Sequence, residues 1–464
     1  MEDIASWAHE EVGQAELGDA RRTARLTRLL ARVTASPAGR VTQVFDNGAE
    51  REAAYRFLEN DRIAAASILE AHRLAVARRA AAFRYVYVAI DQSAMQLTDR
   101  NGSVFGPISG GHTGTGVQAM SALVVAPDGV ALGLSALELW TRSTKRAPDY
   151  HHDYRTVDER ETRFWLAAAQ QTATLMQTAA PATMPWLQMD RGADSAHVLL
   201  ELAKLGVAYT VRASINRRIR TRHGRRYLFD TIRHRPVLGS YPLEVRREGR
   251  RVATTIEVRA VRVVLDLAVG KRGRAPWRPL EVTFVEAREV GVGADPDEPI
   301  LWRLLTNHPV ATLEDARAVI AGYTMRWRVE DFHLAWKSGT CRIEDSNLRS
   351  VPAFAKWATI LATVAVRAQR LKTLARETPD VPALTEFTPD EVDAVLLLRR
   401  PKNYDPAVPP TLGQLVRWIA DLGGYTGKSS GGPPGVRIIS RALIKVEAVA
   451  LALRSQRERR TSGQ

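Results

Sequence analysis

The stretch between Tyr323 and Lys337 limits the fold more than any other, because it predicts a helix with two different faces. Thr312 followed by Asp315 is a capping-box pattern that starts the helix, and Gly339 marks its end. At about 100° per residue, the polar face carries Tyr323, Arg326, Glu330 and Lys337. The opposite, apolar face carries Met325, Val329, Phe332 and Trp336. Such a helix packs its apolar face on a core and presents a carboxylate between two cations and a phenol.

The polar face suits metal and phosphate chemistry. Glu330 can be a metal ligand, and Arg326 and Lys337 suit phosphate oxygens; a solvated face laced with ion pairs is the ordinary alternative. The spacing Y-x2-R-x3-E-x6-K favours the first interpretation. Together with the string YTMRWRVEDFHLAWKSG, it resembles the YREK signature helix of bacterial cut-and-paste DDE transposases, the IS-four family with its Tn-five-type members. The resemblance implies that Glu330 is one of three catalytic acids and that Tyr323, Arg326, Trp327 and Lys337 contact DNA.

A first carboxylate follows the apolar run Tyr85–Ile90, which predicts a buried strand that ends at Asp91. An acid at the end of a central strand suits a metal because the backbone there is rigid, whereas a turn-forming Asp is the alternative. The string DQSAMQL resembles the first-Asp motif of the same family. An ungapped comparison puts Gln92 at the catalytic position. A shift of one residue puts Asp91 there and keeps the small and apolar pattern that follows, so we favour Asp91.

Two further patterns complete the predicted core. Gly116–Ala126 and Val130–Trp140 flank Pro-Asp-Gly and predict a hairpin, and a strand followed by a hairpin is how the RNase-H-like fold opens. After a predicted helix over Thr156–Gln177, Pro185–Met189 predicts a strand that ends at Asp190. Asp190 is the second acid by resemblance to the family's D-R-E-A-D string, which also implies a DNA contact for Arg191. Asp194 is expected to be the N-cap of a helix over residues 194–205.

Residues 214–300 are basic and rich in alternating strands, and they include KRGR at 271–274. Val252–Val269 and Leu280–Val290 predict exposed antiparallel strands. The segment resembles the β-subdomain that such transposases insert before their third acid. The strands on either side of it contain Arg212 and Trp302. The resemblance implies that Arg212 lies near a DNA hairpin and that Trp302 receives a flipped base; a core Trp in a strand is the alternative.

The two ends of the chain predict helical domains. Ala20–Val33 has an apolar face and an Arg-rich face, which either lies against phosphates or is merely solvated. LGDARRTARL and AAYRF resemble two N-terminal motifs of the family, which implies DNA contacts for Arg25 and Arg56. Near the other end, Ile438–Arg457 has roughly heptad spacing, and it predicts either a dimer surface or a helix packed on its own domain.

The composition of the chain indicates which binding partners and which cellular compartment to expect. The chain has 464 residues, with 66 Lys and Arg against 51 Asp and Glu, a net charge of +15. This charge favours a polyanion, nucleic acid before membrane. A single cysteine, Cys341, excludes an intramolecular disulfide and suits a reducing cytoplasm. The longest apolar run, Trp357–Val366, is too short to span a bilayer, and the acidic start lacks a signal sequence. We therefore expect a cytoplasmic protein that is nucleoid-associated when bound to DNA, with no membrane partner.

The sequence thus predicts an α/β protein with an RNase-H-like catalytic core over residues 71–372. The core carries an inserted antiparallel β-subdomain at about 214–300. It is flanked by an N-terminal helical DNA-binding domain (1–70) and a C-terminal helical domain (373–464) for dimerisation. The resemblance implies a homodimeric transposase that acts on double-stranded transposon ends and target DNA. Asp91, Asp190 and Glu330 would bind two Mg²⁺ (or Mn²⁺) ions per active site for nicking, hairpin formation and opening, and strand transfer. A catalytically inactive DNA-binding regulator and a stand-alone metal-dependent nuclease are the alternatives.

Overall fold

The computed structural model describes residues 4–99, 104–108, 114–143, 160–221, 224, 226–247, 250–269, 276–291, 294–295, 299–402, 404–427, 434 and 436–462. Five helices precede the first strand: α1 (Ile4–Val12), α2 (Ala20–Ala35), α3 (Val41–Val44), α4 (Gly48–Leu58) and α5 (Ala65–Ala80). Asp19 is the N-cap of α2, and its side chain accepts a hydrogen bond from the Arg21 amide. Its leucines are buried as the helical spacing predicts.

One mixed sheet runs through the described part of the chain. Its strands are β1 (Tyr85–Leu97), β2 (Gly106–Pro107), β3 (Thr115–Val125), β4 (Ala131–Trp140), β5 (Met184–Met189), β6 (Ala208–Arg212), β7 (Arg218–Ile219), β8 (Arg226–Tyr227), β9 (Gly239–Arg247), β10 (Arg250–Ala268), β11 (Trp277–Val290) and β12 (Leu301–Thr306). The order is β2-β3-β1-β5-β6-β12-β11-β10-β7-β8, with β4 on β3 and β9 on β10. The predicted hairpin is β3–β4, and Gly129 in its turn has a φ of 86°, a conformation that favours glycine.

Strand β1 is longer than the sequence predicts. It continues to Leu97, so Asp91 lies in the middle of a strand and the predicted end at Asp91 is wrong. The cause is the antiparallel partner β3, which pairs with β1 from Tyr87 to Leu97. On the other side, the parallel pairing with β5 stops at Ile90. Asp91 therefore stands where β1 loses one neighbour and keeps the other, which gives its side chain both a rigid backbone and an open flank.

Helices cover both faces of the sheet. The Val86, Val88 and Ile90 side chains share one core with α6 (Thr162–Ala179) and α7 (Ala196–Leu202). The Tyr87 and Ala89 side chains share the other with α9 (Leu313–Thr324) and α10 (Trp327–Lys337). The first residues of the helix predicted over Thr156–Gln177 lie outside the described residues. Because side chains two positions apart share a face of a strand, Asp91 points toward α9 and α10.

The signature helix is two helices. The prediction of one continuous helix through Tyr323 and Lys337 is wrong, because α9 ends at Thr324 and α10 begins at Trp327. In the intervening turn, the Arg326 amide donates to the Tyr323 carbonyl at 3.1 Å, and the Arg328 amide donates to the Met325 carbonyl at 3.0 Å. These bonds to the third preceding residue tighten the turn relative to an α-helix. Tyr323 lies in the last turn of α9 and is buried, with 2% of its surface exposed.

Residues between β6 and β12 form antiparallel strands as predicted, but the prediction that these strands are exposed is wrong, because most of β11 from Leu280 onward is buried in the two cores of the sheet. Strand β10 pairs with β9 and β11, and β11 pairs with β12, so these strands continue the same sheet. A short helix, α8 (Leu228–Arg233), precedes β9. The basic KRGR segment at 271–274 lies outside the described residues.

The C-terminal third is helical, with α11 (Val351–Glu377), α12 (Pro389–Arg399), α13 (Leu412–Leu422) and α14 (Val436–Ser462). Helix α11 extends well beyond the predicted apolar run. By length and composition alone its residues Val351–Arg376 could cross a membrane, but 78% of their most apolar window is buried in the fold, as in a core helix of a soluble protein. In α14, the buried apolar residues share a core with α12 and α13; they are Ile439, Ala442, Leu443, Val446 and Ala450. Of the two alternatives for this stripe, the fold shows packing within the chain.

Candidate active site

Asp91 and Asp190 come side by side through strand register. Ile90 of β1 pairs with Met189 of β5, and each aspartate is the next residue of its chain segment. Met189 also pairs with Val211 of β6, so Arg212 follows in the same row. Neighbouring strands lie about 4.8 Å apart. Two carboxylates and a guanidinium group therefore begin from adjacent positions on one face of the sheet.

The Asp91 carboxylate is buried, with 7% of the residue exposed. Its Oδ2 accepts a hydrogen bond from Arg326 Nη1 at 2.8 Å, and its Oδ1 accepts one from the Gln92 amide at 2.9 Å. Burial, aided by the negative charges of Asp190 and Glu330, outweighs Arg326 and raises the pKa of Asp91 to about 7. The buried Asp91 carboxylate therefore binds a proton more readily than an exposed aspartate does, although Arg326 contacts it.

Gln92 points the other way. Its Nε2 donates a hydrogen bond to Gln118 Oε1 at 3.2 Å, and alternation along β1 puts it on the face opposite to Asp91. Of the two candidates for the first acid, Asp91 is the one on the same face as Glu330.

Glu330 lies in the first turn of α10, with 48% of its side chain exposed. Its Oε1 is 3.5 Å from Arg326 Nη1. Potential ligand atoms of Asp91, Glu330 and His333 lie within 4.8 Å of one another. The structure thus brings the first and third predicted acids together with a histidine that the sequence reasoning missed. The available signal was the Glu-x-x-His spacing, which puts both side chains on one face of a helix.

His333 is buried, and its Nε2 is 2.7 Å from Ser121 Oγ on β3. Burial, with the nearby cations Lys337 and Arg326, lowers the pKa of His333 to about 3. The imidazole is therefore neutral at physiological pH.

Asp190 is half-buried, and its Oδ1 accepts a hydrogen bond from the Gly192 amide at 2.7 Å, which starts a single 3₁₀ turn over Arg191–Ala193. The expected role of Asp194 as a helix N-cap is wrong. Ser195 caps α7, and the buried Asp194 instead accepts hydrogen bonds from the Ser214 and Ile215 amides. Asp194 also forms an ion pair with Arg217 at 2.6 Å, so its role is to hold the chain that leaves β6.

The cations of the signature lie deeper than a helical wheel suggests. Arg326, expected on an accessible face, is buried between Asp91 and Glu330, and its guanidinium lies 5.9 Å from the Tyr323 ring. Tyr323, expected on the same polar face, is buried as well. Lys337 is half-buried, with its Nζ 3.4 Å from Ser93 Oγ and 3.7 Å from the Glu344 carboxylate. Trp327 is 57% exposed, so it remains accessible to a large ligand.

Arg212 and Trp302 share the face of the acids. Leu304 of β12 pairs with Arg212, and Trp302 lies two residues before Leu304. Trp302 is half-buried and packs on the same core as α9 and α10. Arg212 Nη2 donates a hydrogen bond to the Leu301 carbonyl at 3.4 Å. Trp302 therefore lies three strands from Asp91 on the same face of the sheet.

Of the remaining predicted DNA contacts, two lie on the N-terminal helices and one directly follows Asp190. Arg56 is exposed on α4 and forms an ion pair with Glu52. Arg25 is half-buried on α2, and its Nη2 donates to the Glu50 carbonyl at 3.3 Å. Arg191 is exposed directly after Asp190.

Three family models match this chain. A transposase DNA-binding model matches residues 4–63, a transposase DDE domain matches 166–367, and a transposase Tn5 dimerisation domain matches 363–463. The chain belongs to the Tn5-type DDE transposases.

As a DDE transposase, the protein is an enzyme that cleaves DNA and transfers DNA strands, and its core is RNase-H-like. It binds DNA and forms homodimers. The DDE match includes Asp190 and Glu330 but begins after β1, so the choice of Asp91 in this transposase rests on the geometry described above.

Proposed function

We propose that Asp91, Asp190 and Glu330 bind the divalent ions that this transposase uses for cleavage and strand transfer. The observation that carries the proposal is geometric: potential ligand atoms of Asp91 and Glu330 lie within 4.8 Å of each other, and Asp190 directly follows the strand that neighbours Asp91. Burial is the main reason that the pKa of Asp91 is raised to about 7, and a divalent cation would stabilise the charged carboxylate there. Carboxylate oxygens suit Mg²⁺ or Mn²⁺, and three carboxylates suit a pair of ions, which would supply activation of the attacking oxygen and stabilisation of the leaving oxygen.

The protein's own groups then have distinct tasks. Asp91 lies within β1 and Asp190 directly follows the neighbouring β5, so the rigid pairing of these two strands would limit the distance between their carboxylates. Arg326 orients Asp91 and partly neutralises it while the site is empty of DNA. Lys337 and the exposed Arg191 lie beside the acids and suit phosphate oxygens of the scissile strand. Convergence of the acids on one face counts against a catalytically inactive derivative.

We infer that the DNA path follows the face of the sheet that carries the acids. Trp302 would receive a flipped base, supported by Arg212, and the exposed Trp327 would border the scissile strand. The buried Tyr323 lies 5.9 Å from the Arg326 guanidinium and would support it from within the fold. Arg25 and Arg56 would grip the transposon end from the N-terminal domain (1–70). The reaction would proceed by nicking, hairpin formation, hairpin opening and strand transfer into target DNA, with catalysis in trans in the dimer.

The same proposal assigns the remaining segments. Residues 71–372 form the catalytic core, about 214–300 its inserted β-subdomain, and 373–464 the dimerisation domain. The core of α14 is already covered within the chain, so the dimer contact would use another surface of this domain. The protein would act in the cytoplasm and associate with the nucleoid when bound to DNA.

The test is Mg²⁺-dependent cleavage of the cognate transposon end by Asp91→Ala, Asp190→Ala and Glu330→Ala proteins. Loss of a ligand removes several kcal/mol of charge stabilisation, so each rate should fall by about 100-fold or more. Gln92→Ala is the matched control, since Gln92 lies on the other face of β1, and it should cleave at nearly the wild-type rate. A wild-type rate in any of the acid variants would remove that residue from the site, and an inactive Gln92→Ala beside an active Asp91→Ala would reverse the assignment of the first acid.

A further inference from the structure

Helix α10, which carries Glu330, is attached to β1 and β3 by two buried contacts. One is the 2.8 Å contact of Arg326 Nη1 with Asp91 Oδ2, and the other is the 2.7 Å contact of His333 Nε2 with Ser121 Oγ. Ser121 is the register partner of Asp91 across β1 and β3. Both attachments therefore end on the same pair of residues.

The helix needs such attachments. The tightened turn at Met325 and Arg326 separates α10 from α9, so α9 does not set the rotation of α10 through a continuous backbone ladder. Glu330 itself is about half exposed, with only one side-chain contact at 3.5 Å among the described residues. Its distance from Asp91 consequently depends on how the rest of α10 is held.

His333 is well suited to hold it. It lies one helical turn after Glu330 and is buried, and Ser121 is completely buried. A buried polar pair is costly to separate, because each partner would be left without a hydrogen bond. The bond also joins residues 212 positions apart, so it fixes tertiary position and not local conformation.

We propose that His333 is a positioning residue: through its hydrogen bond to Ser121 it holds α10 so that Glu330 stays within metal-binding reach of Asp91. This rests on the proposed function, in which Asp91 and Glu330 bind the metal. His333 acts through Glu330, and its ring is not itself a ligand. Sequence patterns in α10 alone do not reveal this role, since the partner lies on another element.

Two variants of His333 distinguish the role of Nε2 from that of Nδ1. The end of a glutamine side chain is the same number of bonds from Cα as Nε2 of histidine, so His333→Gln keeps a partner for Ser121. The end of an asparagine side chain corresponds to Nδ1, so His333→Asn loses that partner. Ser121→Ala removes the other side of the bond and takes away a single oxygen, so it carries the test even if His333→Asn folds poorly.

The experiment measures Mn²⁺ binding to the full-length protein without DNA, by electron paramagnetic resonance and calorimetry, beside thermal melting. His333→Asn and Ser121→Ala should weaken Mn²⁺ binding by about 10- to 100-fold, as loss of supporting residues does at other metal sites. His333→Gln should restore binding to near the wild-type level, and the double variant His333→Asn/Ser121→Ala should be no worse than either single change. In end cleavage, the defect should appear as a higher Mg²⁺ requirement.

Three results would overturn the proposal. Weak Mn²⁺ binding by His333→Gln beside normal binding by Ser121→Ala would mean that an imidazole nitrogen binds the metal directly. Wild-type binding in every variant would make His333 an ordinary core residue. Additive losses in the double variant would mean that the two side chains act separately. Glu330→Ala tests the underlying site: if it too binds Mn²⁺ normally, the proposed metal site fails, whereas loss in Glu330→Ala alone leaves that site intact and removes only the role of His333.

Discussion

Asp91 gives the active site a pH dependence whose direction follows from its raised pKa. Protons and metal compete for the same carboxylate, and with a pKa of about 7 Asp91 is largely protonated in mildly acidic solution. Apparent affinity for Mn²⁺ should therefore fall by about tenfold for each pH unit below 7, because one proton must leave. Calorimetric titrations at several pH values check this, and a pH-independent affinity would contradict a shared role for the proton and the metal at Asp91.

The same pKa makes a prediction about the metal-free protein. Its folded-state value of about 7 lies above the ordinary value of 3.8, so the folded state binds the extra proton between these values. The contribution of Asp91 to stability is therefore full below pH 3.8 and is lost as the pH rises through about 7. Asp91→Asn should raise the melting temperature of the metal-free protein at pH 8 relative to wild type and abolish the gain from Mn²⁺. Gln92→Asn is the control that should change neither.

Trp302 has two interpretations that an experiment can distinguish: it stacks on a flipped base, or it is simply a core residue. The first nick needs no flipped base, whereas a hairpin requires one to be held outside the helix. If stacking contributes about 1–3 kcal/mol in the transition state, Trp302→Ala should slow hairpin formation by about 10- to 100-fold and leave nicking largely unchanged. Gel assays that resolve nicked and hairpin products measure both steps.

Trp277→Ala is the matched control, because Trp277 is exposed on β11 and lies outside the row of acids. It should leave the ratio of hairpin to nicked product unchanged. Equal loss of nicking and hairpin in Trp302→Ala would identify Trp302 as a residue whose removal damages the fold, and absence of hairpin even in the wild type would favour a simple nuclease reaction.

At the level of elements, a buried charge cluster docks α1 on α5. Glu11 Oε2 is 2.6 Å from His72 Nδ1, and Glu11 Oε1 accepts a hydrogen bond from Arg79 Nη1 at 2.7 Å. His72 Nε2 accepts one from the Leu134 amide at 3.0 Å, so Nδ1 carries the proton and donates to Glu11. Burial alone would raise the pKa of Glu11, but Arg79 and His72 together lower it to about 2.

Glu11→Gln should therefore lower the free energy of unfolding by about 3 kcal/mol at neutral pH, since it leaves Arg79 without its charge partner. In the wild type this stabilisation is present above pH 4.5 and is lost as the pH falls toward 2. Urea denaturation at neutral and acidic pH checks both statements. Glu10→Gln, an exposed neighbour on α1, should have little effect, and an equal loss in the two variants would contradict the importance of the buried cluster.

Elements with a strong local pattern were predictable from the sequence. The β3–β4 hairpin, β5, α2 and the antiparallel strands after β6 follow from alternation, helical spacing and turn residues. Three features were not. β1 passes Asp91 because β3 pairs with it, α9 and α10 separate because the turn at Arg326 is tightened while its side chain reaches Asp91, and Ser195 caps α7 because Asp194 is held by Arg217. Each depends on a partner distant in sequence.

The candidate site shows the same division. The sequence identified Asp91 and Asp190 because each follows an apolar run that predicts a strand. It identified Glu330 because the Y-x2-R-x3-E-x6-K spacing is specific. His333 was not found, because its significance comes from Ser121, which only the packing of α10 on β3 brings near. The burial of Arg326 and Tyr323 was also missed, because a helical wheel gives the face on which a side chain lies but not what packs against that face.

For the whole molecule, α11 joins the N-terminal helices to the core. The buried Lys356 Nζ donates to the Leu58 and Asn60 carbonyls, each at 2.8 Å, and Trp357 Nε1 donates to the Gly39 carbonyl at 2.8 Å. These contacts hold the Arg-rich α2 and α4 in a fixed position relative to the sheet. DNA that contacts both therefore meets a preformed surface, which reduces the ordering cost of binding.

The net charge of +15 predicts that the affinity of the protein for DNA depends on salt concentration. If basic side chains of the N-terminal helices and the core contact many phosphates, binding releases counterions, and log affinity for a cognate end should fall with log salt at a slope of about −0.9 per contact. Arg56→Gln, exposed on α4, should reduce that slope by about one contact. Lys204→Gln is the matched control, because Lys204 is exposed just after α7 on the opposite side of the sheet from Asp91, and it should leave the slope unchanged. Fluorescence anisotropy over a salt series measures all three proteins. Equal reductions in both variants would mean that the effect is one of net charge alone, and a wild-type slope near zero would contradict phosphate contact as the source of affinity.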